Sequence, residues 1–531
     1  MQRKSPAETG QPAALEPKAM DHGKTLLCLL VLLLLFGLAQ CVLPLRTAVQ
    51  IGADEGFELA KATLCAHGHE LYTEVWNDQP PLHTFLVMQV VKHVSNSVLA
   101  ARLVTTGFTM VLLGSLFFLI HRLAGLMVAA ITVFLLLVSP GFLELSASCM
   151  LEIPSLALAL AGLCWLANGR AEKRLPELGA GVLFGAAILI KLISLVWTPL
   201  AALLICRRLM APDSDRAGSS GLLAPLRAAG RREFVLRIAV FTASLLASAV
   251  AIDCLIERGA YLLHFQQTWQ SHFSAATTSL YGSADQHKFD WAILLRNWDT
   301  TLPAVAGIIV AVPQVRARFL GLFALVWLGW SFVIFSNHTP WWAYYYIHTA
   351  IPLCFLAAVG IGRVWKGVVT RFRNPPGKKT ALSGRVIRPA LLAIAVLCAA
   401  AWMVGRAGLE IKSMNDLPRT FSSLVIAESA RYRPFTHWLY ADDLTLSFHT
   451  DIPIIPSLAV VPLKRYWSGG MSVEGIAEEF DLYRPEIAIL NNSDAAVPFR
   501  RLLNSNYRLV YQDDRYQLYA ITNIIRAAQA Q

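Results

Sequence analysis

Charge is what this 531-residue chain has least of: Asp, Glu, Lys and Arg together make up 15% of it, against 55% hydrophobic residues. An average soluble protein carries about 25% charge, so polar surface is too scarce here to cover a globule of this size. Mean hydropathy is +0.50. Soluble, disordered and fibrous classes are thereby excluded. The nine cysteines include no CxxC pair and lie mostly inside apolar runs (Cys28, Cys164, Cys206, Cys254, Cys354, Cys398). They read as small buried residues rather than bridges or metal ligands. Internal repeats and low-complexity tracts are missing. So are a glycine-rich phosphate loop, GxSxG and HExxH, which leaves a nucleotide-dependent soluble mechanism without apparatus. What remains is a polytopic membrane protein. Its net charge of +11 and pI near 9.3 then reflect basic cytoplasmic loops, with no nucleic acid as partner.

A spanning helix needs about 20 predominantly apolar residues, because lipid cannot satisfy a bare backbone. The first run, Thr25 to Val42, follows a polar leader, residues 1–24, expected in the cytoplasm. Leu38-Ala39-Gln40-Cys41 resembles a lipoprotein cleavage box. Gln40 stands where a small residue is required, so the run reads as an uncleaved first helix. Further runs fall near 98–120, 123–141, 153–168, 177–190, 192–206, 234–255, 300–315, 319–336, 344–362 and 389–405, about eleven in all. An odd number puts the termini on opposite sides. Lys and Arg gather in Arg170/Lys173/Arg174, Arg207 to Arg237, Arg316/Arg318 and Arg363 to Arg388, with Arg3, Lys4, Lys18 and Lys24, on one face. That face is expected to be cytoplasmic. The opposite face receives loops near 44–97, 140–152, 256–299 and 336–344, so the membrane domain spans 25–405. It also receives the charge-mixed tail, 406–531. There a helical stretch near 472–483, an apolar run at Ala488-Ile489-Leu490 and a hairpin of Tyr507–Val510 with Tyr516–Ile521 predict a small α/β domain outside the membrane.

The loop after the first run carries the most chemistry. Asp54 opens a segment in which Glu55, Leu59 and Thr63 share a face, which predicts an amphipathic helix at the interface. The plain reading of Asp54 is a helix cap; the functional one is a carboxylate held at the membrane boundary. Leu71 to Trp76 and Asp78-Gln79-Pro80-Pro81-Leu82 follow. Glu152 ends the loop after Ser139-Pro140-Gly141, at the mouth of the next span, with Glu144 as a competitor nearer the preceding span. Lys191 interrupts an apolar stretch at the outer boundary, where it suits a phosphate or reaches headgroups. Ser336 to His348 forms an outer turn rich in Trp and Tyr, which suits an interfacial belt, with His338 and His348 adding polar capacity. His67, His69 and His83 are spaced too loosely for a zinc pattern.

These residues resemble a known group. Asp54-Glu55, Leu71-Tyr72-Thr73-Glu74-Val75-Trp76 and Asp78-Gln79-Pro80-Pro81-Leu82 are similar to the first outer loop of integral-membrane GT-C glycosyltransferases that use polyprenyl-phosphate sugars. Protein O-mannosyltransferases and lipid A aminoarabinose transferases are of this kind. Glu152-Ile153-Pro154, Gly185 to Lys191 and Tyr344-Tyr345-Tyr346 before Pro352 follow in the expected order. The resemblance implies a mainly α, GT-C-like fold with a small C-terminal α/β domain. It implies Asp54 and Glu152 at the reacting centre, with Glu55, Gln79, Lys191, His338, Tyr345 and Tyr346 holding the donor phosphate or substrate. No cofactor is certain, with room for a divalent metal ion at Asp54 and Glu152. One departure stands out: several families place lysine where this chain has Gln79, so phosphate charge must be met by Lys191, a histidine or a metal.

The expected activity is inverting transfer of a monosaccharide from a polyprenyl-phosphate donor to an envelope glycan, lipid or protein acceptor. The setting would be the outer face of a bacterial inner membrane, with the bilayer as a further partner and the tail domain periplasmic. A transporter or flippase of lipid-linked or small solutes is the alternative. It would place ionisable residues near the bilayer midplane, whereas Asp253 and Lys191 lie near predicted span ends.

Overall fold

The computed structural model describes residues 22–530 except 95–96, 170–172, 211–227, 258, 271–281, 283–285, 315–318, 374–382, 493–502 and 504–505. Most of the 1–24 leader, with Arg3, Lys4 and Lys18, and also Arg170, Arg316, Arg318 and parts of the 207–237 and 363–388 basic segments, lie outside the described residues.

Among the described residues six helices are long and apolar enough to cross a membrane: His22–Val42, Val98–Ala124, Leu192–Leu209, Arg231–Glu257, Phe319–Asn337 and Ala343–Lys366. Four shorter apolar helices, Leu126–Leu137, Glu152–Asn168, Leu175–Ile188 and Trp298–Ala311, pack among them, and Ser383–Asn415 follows. Each apolar run read from the sequence falls on one of these helices. The chain is mainly helical, as expected. Cys354 is buried as expected, but Cys254 and Cys398 are exposed on their helices. An apolar run in a membrane protein has a lipid side as well as a core side, so apolar company does not imply burial.

Between apolar helices in lipid, close packing does the work that water does elsewhere, and small residues permit it. Gly181 and Gly185 let Leu175–Ile188 lie against the 241–249 stretch of its neighbour, where a Cβ would overlap Ser244 and Ser248. Gly307 and Gly360 do the same between Trp298–Ala311 and the helix Tyr346–Arg373, where a Cβ on Gly307 would collide with the Leu356 carbonyl.

The tail is a layered α/β unit. Its four strands, β1 (Leu439–Ala441), β2 (Ile487–Asn491), β3 (Tyr507–Gln512) and β4 (Tyr516–Ile521), are ordered β1-β2-β4-β3. β1 and β2 are parallel; the other pairs are antiparallel, with Ile489 opposite Leu518. Side chains alternate across a strand. Leu439, Ala441, Ile487, Ile489 and Leu518 therefore pack with Val425, Tyr432 and Ile524 on one face, while Tyr440, Ala488 and Leu490 pack with Ile476 and Phe480 on the other.

The tail docks on the loop that follows the first apolar helix. Val49 N–H donates to the Pro418 carbonyl (2.9 Å), Thr420 N–H to the Thr47 carbonyl (2.8 Å), and the His449 imidazole meets the Val49 carbonyl (2.8 Å). Phe448 packs with Leu59 and Ala62 of the helix Glu55–Ala66. That helix is a correction to the interfacial expectation: Glu55, Glu58, Leu59, Ala60, Lys61, Thr63 and Leu64 are all buried, because protein rather than headgroups covers both sides.

Gly307→Leu is expected to lower thermal stability in detergent by an overpacking cost of about 1–3 kcal/mol. Gly329→Leu, where a Cβ meets nothing within 4 Å, should leave it nearly unchanged. Equal losses from both would remove close helix approach as the cause.

Candidate functional site

The site begins with how the backbone reaches it. Gly52 lies so close to Ser148 and Met150 that a Cβ there would overlap both side chains. This contact lays the 52–54 turn along the end of the second outer loop and brings Asp54 beside Glu152. Glu55 fixes the approach. Its Oε1 accepts from Cys149 N–H (2.9 Å) and Arg102 Nε (2.8 Å), its Oε2 from Ile51 N–H (2.7 Å) and Arg102 Nη2 (2.8 Å). Arg102 Nη1 also donates to the Leu45 and Ala48 carbonyls. Burial would raise the Glu55 carboxyl, but Arg102 and the two backbone donors hold it below its ordinary value.

One residue earlier, Asp54 occupies the N-cap position of Glu55–Ala66 yet makes no capping hydrogen bond with its side chain. Its carboxyl instead meets the Tyr344 hydroxyl and faces a cleft. Burial, and then the neighbouring Glu152, push its pKa up to about 6, against the opposing pull of Lys191 and Tyr344. A carboxylate poised there is suited to accept a proton near neutrality.

Glu152 is buried at the start of the helix Glu152–Asn168, where the free N–H groups favour an anion. Lys191 ion-pairs with its Oε1. The lysine reaches it because the chain turns extended at 191 (φ −154°, ψ 124°) between Leu175–Ile188 and the 3-10 turn Leu192–Trp197. Its ammonium also lies 5.2 Å from the ring centres of both Tyr344 and Tyr345. It is buried and does not reach toward headgroups.

A second charged network closes the floor. Lys61 Nζ donates to Glu58 Oε1 (2.8 Å) and Asn77 Oδ1 (3.0 Å), and His83 Nδ1 lies 3.2 Å from Glu58 Oε2. Asn77 Nδ2 and the Tyr72 hydroxyl both donate to the Gln79 carbonyl, at 2.6 and 2.7 Å, so the Asp78-Gln79-Pro80-Pro81 loop is tied down through its backbone. Burial opposes ionisation of Glu58, but Lys61 and His83 draw it down to about 2.

The cleft that results has a volume of about 310 Å³, walled by Asp54, Glu152, Lys191, Gln79, Tyr344 and Tyr345, and by Lys464 of the tail. The structure thus brings together five of the residues singled out in the sequence: Asp54, Glu152, Gln79, Lys191 and Tyr345. Glu55, His338 and Tyr346 do not line it. Glu55 is turned about 100° from Asp54 by the helical period and spent on Arg102. His338 stands against the Tyr345 ring with its Nδ1 3.0 Å from the Pro340 carbonyl. Burial and then Lys464 hold it down at about 4, so it is neutral and supplies no cation for a phosphate. Tyr346 is buried and hydrogen-bonds Asn297. Glu144 lies by Glu410, away from the cleft, and burial with that neighbour raises it to about 7.

Glu58, Lys61, Asp78, Trp342, Tyr344 and Lys464 line the cleft without having been singled out as site residues. Glu58 and Lys61 had a signal, since residues 54, 58 and 61 share one helical face. Lys464 had none. The three histidines of the first loop go separate ways, His67 to Asp451, His69 to Glu74 and His83 to Glu58. Lys191 holds Glu152 Oε1, while the buried Oε2 has no hydrogen-bond partner among the described residues, so one carboxylate oxygen beside Asp54 is left that could bind a cation. The three-ligand grouping among the described residues is Asp253, Glu257 and His264, outside the cleft.

A family model described as dolichyl-phosphate-mannose-protein mannosyltransferase matches residues 78–214, beginning at Asp78-Gln79-Pro80-Pro81. ArnT from Cupriavidus metallidurans, solved bound to undecaprenyl phosphate, superposes with a TM-score of 0.62 at 16% identity, covering 95% of this chain and 99% of that one. The chain has the GT-C fold. The oligosaccharyltransferase AglB from Archaeoglobus fulgidus, solved with an inhibitory peptide and a dolichol-phosphate, is a more distant GT-C neighbour at TM-score 0.53 and 11% identity, covering 88% of this chain and 69% of that one. No curated protein matches the sequence.

The shifted Asp54 pKa has a consequence for stability. With a folded value of about 6 above an ordinary 3.8, the fold penalises the charged form. Stability from this group is complete below the unfolded pKa and is lost as pH rises through the folded one. Asp54→Asn should therefore be more stable than wild type at pH 7.5, by up to about 3 kcal/mol, with the advantage gone below about pH 4. Thermal unfolding across pH checks this; a variant less stable at pH 7.5 would contradict a penalised carboxylate.

Proposed function

We propose that the chain is a glycosyltransferase that moves a monosaccharide from a polyprenyl-phosphate donor to an acceptor hydroxyl at the outer face of a cell membrane, with inversion. The observation that carries this reading is the Asp54 carboxylate at about 6 beside the Glu152–Lys191 ion pair in an aromatic-walled cleft. The GT-C fold and the mannosyltransferase family match over residues 78–214 support it, as do the lipid phosphates named with the structural neighbours.

In this reading the acceptor oxygen attacks the anomeric carbon and its proton passes to Asp54. The carbon–oxygen bond to the lipid phosphate breaks with its electron pair going to the phosphate. General-base help of this kind is worth about 10²–10⁴-fold. Lys191 stabilises the charge that builds on the leaving phosphate, and Lys61, two helical turns from Asp54, supplies the cation that Gln79 lacks. Both lysines are held by carboxylates, Glu152 and Glu58, which fixes their positions before the donor arrives. Tyr344, Tyr345 and Trp342 offer faces on which a sugar ring stacks.

The proposed setting is a bacterial inner membrane, with a cytoplasmic N-terminus, a membrane domain over 25–405 and a periplasmic tail domain over 406–531. The basic side chains at the end of the bundle around Arg174, Arg207, Arg208 and Arg237 support that orientation. The sugar, hexose or pentose, is set by the wall of the cleft.

The test is sugar transfer by purified protein in lipid nanodiscs, given radiolabelled polyprenyl-phosphate monosaccharides and envelope extract. Wild type is expected to consume one donor, and Asp54→Asn to lose at least about 10²-fold in turnover. Lys191→Met and Glu152→Gln should each raise the KM for donor. Full turnover by Asp54→Asn would sink its role as base. Donor left untouched by folded wild type, with solute flux in the same discs, would favour a transporter.

A further inference from the structure

A second cavity, of about 380 Å³, opens on the other side of Asp54's backbone. It shares Ala53, Phe57 and Val461 with the cleft, so the two are separated by one turn of chain and two side chains. The volume falls in the range of about 300–1,000 Å³ usual for small-molecule sites. Its position in the tail domain is also one that open α/β sheets use for ligands. Asp442 and Asp443 follow β1 directly and Asn491 ends β2, so the cavity lies outside the carboxyl ends of the two parallel strands.

The lining is polar in a particular way. Asp442, Asp443, Gln50, Asn491, Tyr440 and Tyr466 supply its polar groups, and Lys, Arg and His are absent from its wall among the described residues. Asp442 is fixed in place, its Oδ2 accepting from Asn491 N–H (2.8 Å) and its Oδ1 from the Tyr440 hydroxyl (3.2 Å). Gln50 is fixed too, with Nε2 donating to the Gly52 and Ala53 carbonyls at 2.8 and 3.0 Å and Oε1 held beside Gly56. Rigid acceptors and amides beside the aromatic rings Phe57, Tyr440 and Tyr466 suit hydroxyl and amine donors on a ring with an apolar face.

We propose that this cavity is the acceptor subsite, and that it takes a neutral or amine-bearing sugar unit of a glycan, delivering its hydroxyl across Ala53 to Asp54. The inference rests on the transferase reading above. Asp443 is engaged by Thr445, the Tyr516 hydroxyl and Arg515 (3.6 Å), and the described lining offers a phosphate no cation of its own, so the wall favours hydroxyl and amine donors over a phosphate oxygen. A serine or threonine side chain on a peptide would not need the cavity's breadth or its rings.

The test uses the full chain in nanodiscs, and reads the two cavities separately. Undecaprenyl phosphate should raise the melting temperature of wild type, Asn491→Ala and Tyr466→Ala alike, since it reports the fold and the donor cleft. Saturation-transfer NMR with chitosan disaccharide and N,N′-diacetylchitobiose should show binding to wild type and at least a tenfold weaker affinity in both variants. Glucosamine 6-phosphate and a serine-containing peptide should give no signal. Disaccharide binding unchanged in the variants, or preferential binding of the phosphorylated sugar or the peptide, would overturn the subsite while leaving the donor reading intact. No stabilisation by the lipid phosphate in any protein would instead overturn the donor reading on which the subsite depends.

Discussion

The bidentate ion pair between Glu55 and Arg102 is the contact on which the site's geometry turns. It is wholly buried, and the desolvation of two charges is offset only because every oxygen and most of the guanidinium protons are used. Arg102 belongs to the helix Val98–Ala124, Glu55 to the first outer loop, and Cys149, which donates to Glu55, to the second. One carboxylate therefore ties a spanning helix to both loops that carry Asp54 and Glu152. Removing either partner alone would strand a buried charge, at about 3–5 kcal/mol, whereas replacing both with apolar groups could cost little stability and still lose the register. What the pair contributes is position more than stability.

That position decides how the neighbouring carboxylates are charged. Glu152 has Lys191 and Glu58 has Lys61, each as a direct ion pair. Asp54 has neither; it feels Lys191 only at a distance and takes one hydrogen bond from Tyr344. Desolvation raises both groups, yet their neighbours divide them: Glu58 is drawn down to about 2 and Asp54 pushed up to about 6. Carboxylates whose environments push them apart in this way divide structural and chemical roles between them.

The spans and the outer acids were legible in the sequence because hydropathy and loop position are local signals. Asp54, Glu152 and Lys191 each interrupt or border an apolar run, which is costly enough to need a reason, and the structure gathers all three. Glu55 was grouped with Asp54 because they are adjacent, but adjacent residues on a helix point about 100° apart, and only one can face the cleft. Tyr346 lies next to Tyr345 in the chain and fails for the same reason, while His338, at the far end of the turn, is spent on the Tyr345 ring and the Pro340 carbonyl. The helix Glu55–Ala66 looked interfacial because charged residues on one side of a helix imply water or headgroups unless their partners are known. Arg102, His83 and Asn77, which cover those charges, come from elsewhere in the chain. Lys464 was invisible for the strongest form of this reason. It sits in a separate folding unit, and nothing near it in sequence marks the cleft it completes.

Lys464 also changes how the tail should be regarded. The segment Val460–Lys464 closes the cleft, and Asp442, Asp443 and Asn491 wall the second cavity, so the α/β unit supplies one side of each. Its docking on Thr47, Val49 and the helix Glu55–Ala66 therefore holds both cavities in shape. A lipid-linked donor is confined to the membrane boundary by its own hydrocarbon tail, while a polar acceptor must arrive from water. The transferase proposed above would need a base in the partition between the aromatic, cation-lined cleft and the polar cavity. Asp54 stands in that partition, with Glu55 anchoring it from below and the tail domain closing it from above.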